Sequence, residues 1–198
     1  MSAPTIETTL ADIARTLAEL ERPYALVGGL AVSFRGEVRF TRDIDLAVVV
    51  QNDADFESLV FALRASGYFP VATVEHKHQQ RLSTARLQAP NGFVVDLLAA
   101  SCGIEREVVD RATVVVLPNV GHIPVARSEE LLAMKILSMS DRRLQDRLDA
   151  RNLLVFNEEL NLEAVERNLR LIEDRGFSRG EDLFGKLRTL LEETRREA

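Results

Sequence analysis

One cysteine, Cys102, stands in 198 residues. No internal disulfide can form, and the chain is expected in a reducing compartment, the cytoplasm. No apolar run approaches the roughly 20 residues that cross a bilayer, so no membrane association is expected. The opening stretch MSAPTIETTL lacks both the basic region and the apolar core of a secretion signal. No Gly-x-x-x-x-Gly-Lys-Ser/Thr stretch occurs, which removes the usual P-loop ATPase reading. His76 and His78 alternate in a polar stretch without a cysteine or third histidine nearby, and His122 reads as a hairpin residue, so zinc is not expected. Cys102 reads as a small apolar residue near a strand end. Positive charge is also short. A formal net charge of -6 argues against a protein that coats nucleic acid, because such binding depends on counterion release by many Lys and Arg. A local basic rim is still compatible: Arg35, Arg39 and Arg42 lie close together, and the stretch from Arg142 to Arg151 adds four more arginines. There is no internal repeat, low-complexity tract or long linker.

Within these bounds the chain can bury one sizeable core, or one core plus a small helical unit. Ile6, Leu10, Ile13, Leu17 and Leu20 recur at helical spacing and stop before Pro23. Tyr24 to Val27 reads as a buried strand, Gly28-Gly29 as a tight turn, and Leu30 to Phe34 as the start of a helix. Ile44, Leu46, Val48 and Val50 alternate with Asp43, Asp45, Ala47 and Val49, which predicts a strand with one apolar face. Asp53 is placed to cap a helix over 54–65, with Phe56, Leu59, Val60 and Leu63 inward and Gly67 closing it. Strands are expected over 68–74, 81–87 and in GFVVDLLAA, then a weak helix over 103–112 and a hairpin from 112–117 and 122–125. From Ser128, an expected N-cap, helical patterns continue over the stripe Leu131, Leu132, Met134, Ile136 and Leu137, and over 142–156, 161–174 and 179–195. The fold class is α+β: a mixed half over 1–126 and a helical half over 127–198.

Two carboxylates on one strand are the first chemical anomaly. Asp43 and Asp45 are two apart, so they share a face at roughly 6.5–7 Å between Cα atoms. Aspartate is depleted in strands, although a polar outer face is a common plain explanation. Asp96 sits inside the apolar run Phe93 to Leu98, where a carboxylate needs a cation or strong donors. It could complete an oxygen-rich ligand set of the kind Mg²⁺ prefers, or it could be a core aspartate paired with an arginine. Gly28-Gly29 between strand and helix would let backbone amides approach a phosphate at a helix N-terminus. Lys135 borders the apolar stripe of its helix, where snorkelling is the bland explanation.

The ordered set Val27-Gly28-Gly29, Arg39-x-Thr41-x-Asp43-Ile44-Asp45, then Asp96 resembles the polymerase-β-like nucleotidyltransferase superfamily. The segment SEELLAMKILSMSDRRLQDRLDARNLL is similar to the helical signature of the AbiEii/AbiGii toxin nucleotidyltransferases. The resemblance covers about residues 22–155. It implies that Gly28 and Gly29, with Arg39 and Thr41, hold the phosphates of a nucleoside triphosphate. Asp43, Asp45 and Asp96 would bind Mg²⁺, two ions, with Asp96 also helping to activate the attacking hydroxyl. Lys135 matches the lysine near the nucleotide; Asp149, with Asp146 close behind, matches the aspartate of the next helix. Gln145 departs from the pattern, which often has lysine there. Thr41 matches a Ser/Thr that in related toxins bonds phosphates or is modified by a partner.

The expected activity is Mg²⁺-dependent transfer of a nucleoside monophosphate to an acceptor hydroxyl. For a toxin of this kind the acceptor is the tRNA 3′ end, and a cognate antitoxin is the expected protein partner. Two alternatives stand beside it: the same chemistry on an antibiotic or protein hydroxyl, and a non-catalytic regulator that retains the fold.

Overall fold

The computed structural model describes residues 4–76 and 79–197. His78, and Met1 to Ala3 of the opening stretch, lie outside them. A seven-stranded mixed sheet runs in the order β3-β4-β5-β2-β1-β7-β6, with β1 Tyr24–Val27, β2 Asp43–Val48, β3 Phe69–His76, β4 Arg81–Gln88, β5 Val94–Leu98, β6 Thr113–Leu117 and β7 Gly121–Val125. Helices flank it: α1 Ile6–Glu19, α2 Gly28–Arg35, α3 Asp53–Ala65 and α4 Glu105–Asp110, then α5 Ser128–Ser138, α6 Leu144–Val155, α7 Leu162–Asp174 and α8 Leu183–Glu197. The α+β sheet followed by a C-terminal helical bundle agrees with the expected class. Among the described residues no helix is long and apolar enough to cross a membrane.

The order of the central strands decides where chemistry can happen. β2 lies between β1, antiparallel to it, and β5, parallel to it. Ile44, Leu46 and Val48 are sealed in the core while Asp43 and Asp45 are half-buried, as period-two alternation demands. In register, Asp45 stands opposite Val27 on one side and Asp96 on the other. The three central strands therefore deliver the end of β1 and three carboxylates to one edge of the sheet.

The second half closes over that edge. α5 is buried on almost every side, from Ser128 to Leu137, because it packs against α2, α6, α7 and α8. One hydrophobic cluster runs from Leu10 of α1 through Val32 of α2 to Leu190 of α8. Burial at about 25 cal/mol per Å² of apolar surface is what fixes α5 against α2, and with it the position of Lys135.

Four expectations shift. Asn52, not Asp53, caps α3: its Oδ1 accepts from the Asp55 N–H at 3.0 Å. The Asp53 carboxylate is taken by Arg81 Nε (3.1 Å) and the Leu82 N–H (3.2 Å). Val60 is half-buried, while Phe56, Leu59 and Leu63 are core. Ser128 is the first residue of α5 and its hydroxyl bonds Asn157 Oδ1 at 2.8 Å, so Arg127 occupies the cap position without a side-chain bond. Gly28 and Gly29 form the first turn of α2 itself, not a turn ahead of it.

Candidate active site

Gly28 makes the junction of β1 and α2 possible. Its φ of +64° lies in the left-handed region, and a Cβ there would sit 1.9 Å from Asp45 Oδ2. Only a glycine lets the backbone lie against that carboxylate. The Gly29 N–H is directed at Asp45, and a Cβ on Gly29 would meet Arg39 Nη2 at 2.4 Å and Thr41 Oγ1 at 3.0 Å. The first turn of α2 is thus enclosed by Asp45, Arg39 and Thr41, with the positive end of the helix facing them.

Across β2, the third carboxylate points where the pair points. Asp96 is 8% exposed and is gripped on both oxygens by Arg86 of β4, Nε to Oδ1 at 2.9 Å and Nη2 to Oδ2 at 2.7 Å. The same Nη2 reaches Asp43 Oδ2 at 3.6 Å. Arg86 is the one part of this cluster that sequence reading missed. It lies between Ala85 and Leu87, both sealed in the core, so alternation alone turns it to the polar face; that it lands opposite Asp96 is a register that sequence does not carry. The arginine pairing weighed for Asp96 is present, and Asp96 also lies beside the pair.

Asp45 carries the strain of the arrangement. Burial, then repulsion by Asp96 and Asp43, push its carboxyl up to about 6, against the opposing pull of Lys135 and the Gly29 N–H. Lys135 is joined to the same site through Asp149, which holds both it and the Arg39 that lies against Gly29. It does not snorkel: only 9% exposed, its Nζ lies 2.7 Å from both Asp146 Oδ1 and Asp149 Oδ2. Asp149 is fully buried, and it also receives Arg39 Nη2 at 2.9 Å and Gln145 Nε2 at 2.9 Å. Burial raises its proton affinity, but Arg39, Lys135 and Gln145 outweigh that and hold its carboxyl below the usual range. Asp146 is tied to Arg143 Nε at 2.8 Å as well.

The arginines expected at a basic rim divide. Arg35 is spent on structure, donating to the carbonyls of Ala126 (2.9 Å) and Val125 (3.1 Å). Arg147 pairs with Glu193 on α8. Arg39 faces the site, and Arg42 is exposed beside Phe40. Away from the site, the His76 ring packs 4.7 Å from Phe177, and burial pushes the Cys102 thiol well up, so it is inert.

Among the described residues no group of three or more His, Cys, Asp or Glu side chains is placed to hold a metal ion as it stands. Arg86 instead closes over Asp96 and reaches Asp43. In kind the donors suit a hard divalent ion, being carboxylate oxygens only. In charge they suit it too, since the repulsion that raises Asp45 is what such an ion relieves.

The fold is that of polymerase-β-like nucleotidyltransferases. The solution structure of the antibiotic-resistance factor ANT(2″)-Ia is similar, with a TM-score of 0.53 and 14% identity over 88% of this chain and 94% of that one. A crystal structure of ANT(2″)-Ia in complex with adenylyl-2″-tobramycin gives 0.52 and 13% identity over 87% and 99%. An antigenic nucleotidyltransferase-like protein from Paracoccidioides brasiliensis is 19% identical over 92% and 91%, with a TM-score of 0.49. No functionally curated protein matches the sequence. The family model described as nucleotidyl transferase AbiEii toxin, type IV toxin–antitoxin system, matches residues 11–196, nearly the whole chain and both walls of the site, so the protein belongs to the AbiEii nucleotidyltransferase toxin family.

Proposed function

We propose that this enzyme transfers a nucleoside monophosphate from a nucleoside triphosphate to the 3′-terminal hydroxyl of tRNA, with Mg²⁺ as the metal and an antitoxin protein as its regulator. The observation that carries the reading is the convergence of Asp43, Asp45 and Asp96 on one edge of the sheet, facing the Gly28–Gly29 helix start and Lys135. Asp43 and Asp45 would hold Mg²⁺, two ions in all, with Asp96 as the third ligand. When bound, the metal neutralises the phosphates and stabilises the attacking and leaving oxygens.

The chain's own residues do the rest. The amides of the first turn of α2, with Thr41, seat the phosphates, and the helix dipole favours their charge. Lys135 is the cation for the leaving pyrophosphate. Asp149 is a positioning residue: fixed by three donors, it holds Lys135 and Arg39 at the nucleotide, and Asp146 shares the load on Lys135. Asp96, kept in aim by Arg86, would help to activate the acceptor hydroxyl, whose proton passes to solvent. The hydroxyl oxygen bonds the α-phosphorus, the bond to the β-phosphate bridge breaks, and pyrophosphate leaves with the electron pair.

The test is incubation with labelled nucleoside triphosphates, Mg²⁺ and total RNA. The expected result is labelled tRNA that disappears with Asp43→Ala. Label on a small molecule or protein instead of RNA would reassign the acceptor. No label at all, and no difference between wild type and Asp43→Ala, would reject the enzyme reading of this site.

A further inference from the structure

Between α2 and β2 the chain leads up to the carboxylate cluster with the alternating exposure of an extended strand. Arg39, Thr41 and Asp43 are turned in, while Val38, Phe40 and Arg42 are turned out. Val38 is 83% exposed and Phe40 81%. The segment is anchored despite this exposure. The Ser33 hydroxyl accepts from the Arg39 N–H at 3.3 Å, Asn152 Nδ2 donates to Glu37 Oε2 at 3.2 Å, and Arg39 Nε pairs with buried Asp149 at 2.8 Å. An aromatic ring is therefore presented to solvent on a held ribbon, three residues and at most about 10 Å of chain from Asp43. The guanidinium of Arg42 lies 5.7 Å from the centroid of that ring, a cation–π pairing that sets a positive charge beside a flat apolar face. Arg86 and Arg143, by contrast, are held by carboxylates of the site, Arg86 by Asp96 and Asp43 and Arg143 by Asp146, which leaves Arg42 as the cation beside the ring.

We propose that Phe40 and Arg42 form a stacking platform for a nucleobase of a single-stranded acceptor, with Arg42 meeting that strand's phosphate. A ring and an adjacent cation are the two elements that single-stranded nucleic acid uses in binding. The base is one of the acceptor strand and not that of the triphosphate, because Phe40 points away from the face on which Thr41 meets Gly29. The inference rests on the nucleotidyl-transfer reading for the identity of the acceptor, and on the geometry of this segment alone for the platform.

The chain contains no tryptophan, so Phe40→Trp places a single fluorescent reporter on the platform. In the Asp43→Asn background, which removes turnover, titration with a single-stranded RNA 12-mer is expected to quench it, whereas ATP with Mg²⁺ or duplex RNA of the same length leaves it unchanged. Arg42→Ala should reduce the salt dependence of that binding by about one phosphate contact. In active protein, Phe40→Ala should raise the KM for RNA roughly tenfold or more with the KM for triphosphate unchanged, from the usual worth of one stacked base, and Phe40→Tyr should restore it. No quenching by RNA, quenching by ATP alone, or quenching only by a protein partner overturns the platform. Quenching by RNA with no labelled RNA in the transfer assay would instead overturn the transfer reading and leave the platform standing.

Discussion

Replacing Asp45 by asparagine is expected to stabilise the metal-free protein while abolishing its response to Mg²⁺. The carboxyl titrates near 6 in the folded chain against 3.8 for a free aspartate, because it is buried and faces Asp96 and Asp43. Ionising it in the fold therefore costs on the order of 3 kcal/mol. The sign follows from proton binding: below about pH 4 both folded and unfolded chains hold the proton and the cost is absent. It grows as pH rises towards 6, where the folded chain still holds the proton that the unfolded chain has lost, and it is complete above 6. Asparagine keeps an oxygen for the Gly29 N–H and carries no charge. For a chain of this size each kcal/mol moves the melting temperature by roughly 2–4 °C. Asp45→Asn should thus melt roughly 6–12 °C higher than wild type at pH 8 in EDTA. Since Asp45 is half-buried, the lower end is expected. The assay is a thermal melt of both proteins from pH 4 to 8, with EDTA and then with Mg²⁺. An Asp45→Asn variant that melts at or below wild type at pH 8, or a gap that fails to close towards pH 4, would refute the electrostatic reasoning.

Other substitutions probe the remaining parts. Gly28→Ala must strain a φ of +64° and displace the Asp45 carboxylate; a loss of about 1–3 kcal/mol in urea unfolding and weaker triphosphate binding by calorimetry are expected. Lys135→Met leaves Asp146 and Asp149 short of a cation, a loss of roughly 3 kcal/mol or more at neutral pH, and a double-mutant cycle with Asp149→Asn should show coupling of about 1 kcal/mol or more. Asp149→Asn should follow the opposite pH trend to Asp45→Asn. Its ionised form is stabilised in the fold, so the cost of the substitution is present at neutral pH and fades as acid protonates the wild-type carboxyl. Arg86→Gln removes the cation between Asp96 and Asp43, so its loss in melting temperature should be large in EDTA and smaller in saturating Mg²⁺.

What the sequence made legible was the local pattern, and what it hid was pairing. The alternation around Asp43 and Asp45 predicts both the strand and the face of each residue, and the apolar surroundings of Asp96 predict its burial, because both follow from period and hydrophobicity over a few residues. Arg86 escaped because its partner is fixed by the antiparallel register of β4 and β5, which depends on long-range packing. Lys135 was placed at the site by resemblance; its own neighbours suggested a snorkelling surface lysine, since the two carboxylates that hold it lie on α6, a different helix. The cap misplacements at Asn52 and Arg127 have one cause. Each expected cap has its side chain claimed by a distant partner, Arg81 for Asp53 and Asn157 for Ser128, so Asn52 caps α3 in place of Asp53 while the start of α5 is left without a side-chain cap.

Under the proposed reading, the two carboxylates on Lys135 make nucleotide binding a contest. Any phosphate that engages this ammonium must win it from Asp146 and Asp149, each already 2.7 Å away, so the measured affinity is the difference between two ion pairs and not the worth of one. A ligand with more negative charge within reach competes better. Under the proposed reading the site therefore discriminates by charge, favouring a triphosphate over the diphosphate or monophosphate of the same base. When pyrophosphate departs, the waiting carboxylates reclaim the lysine and speed its release.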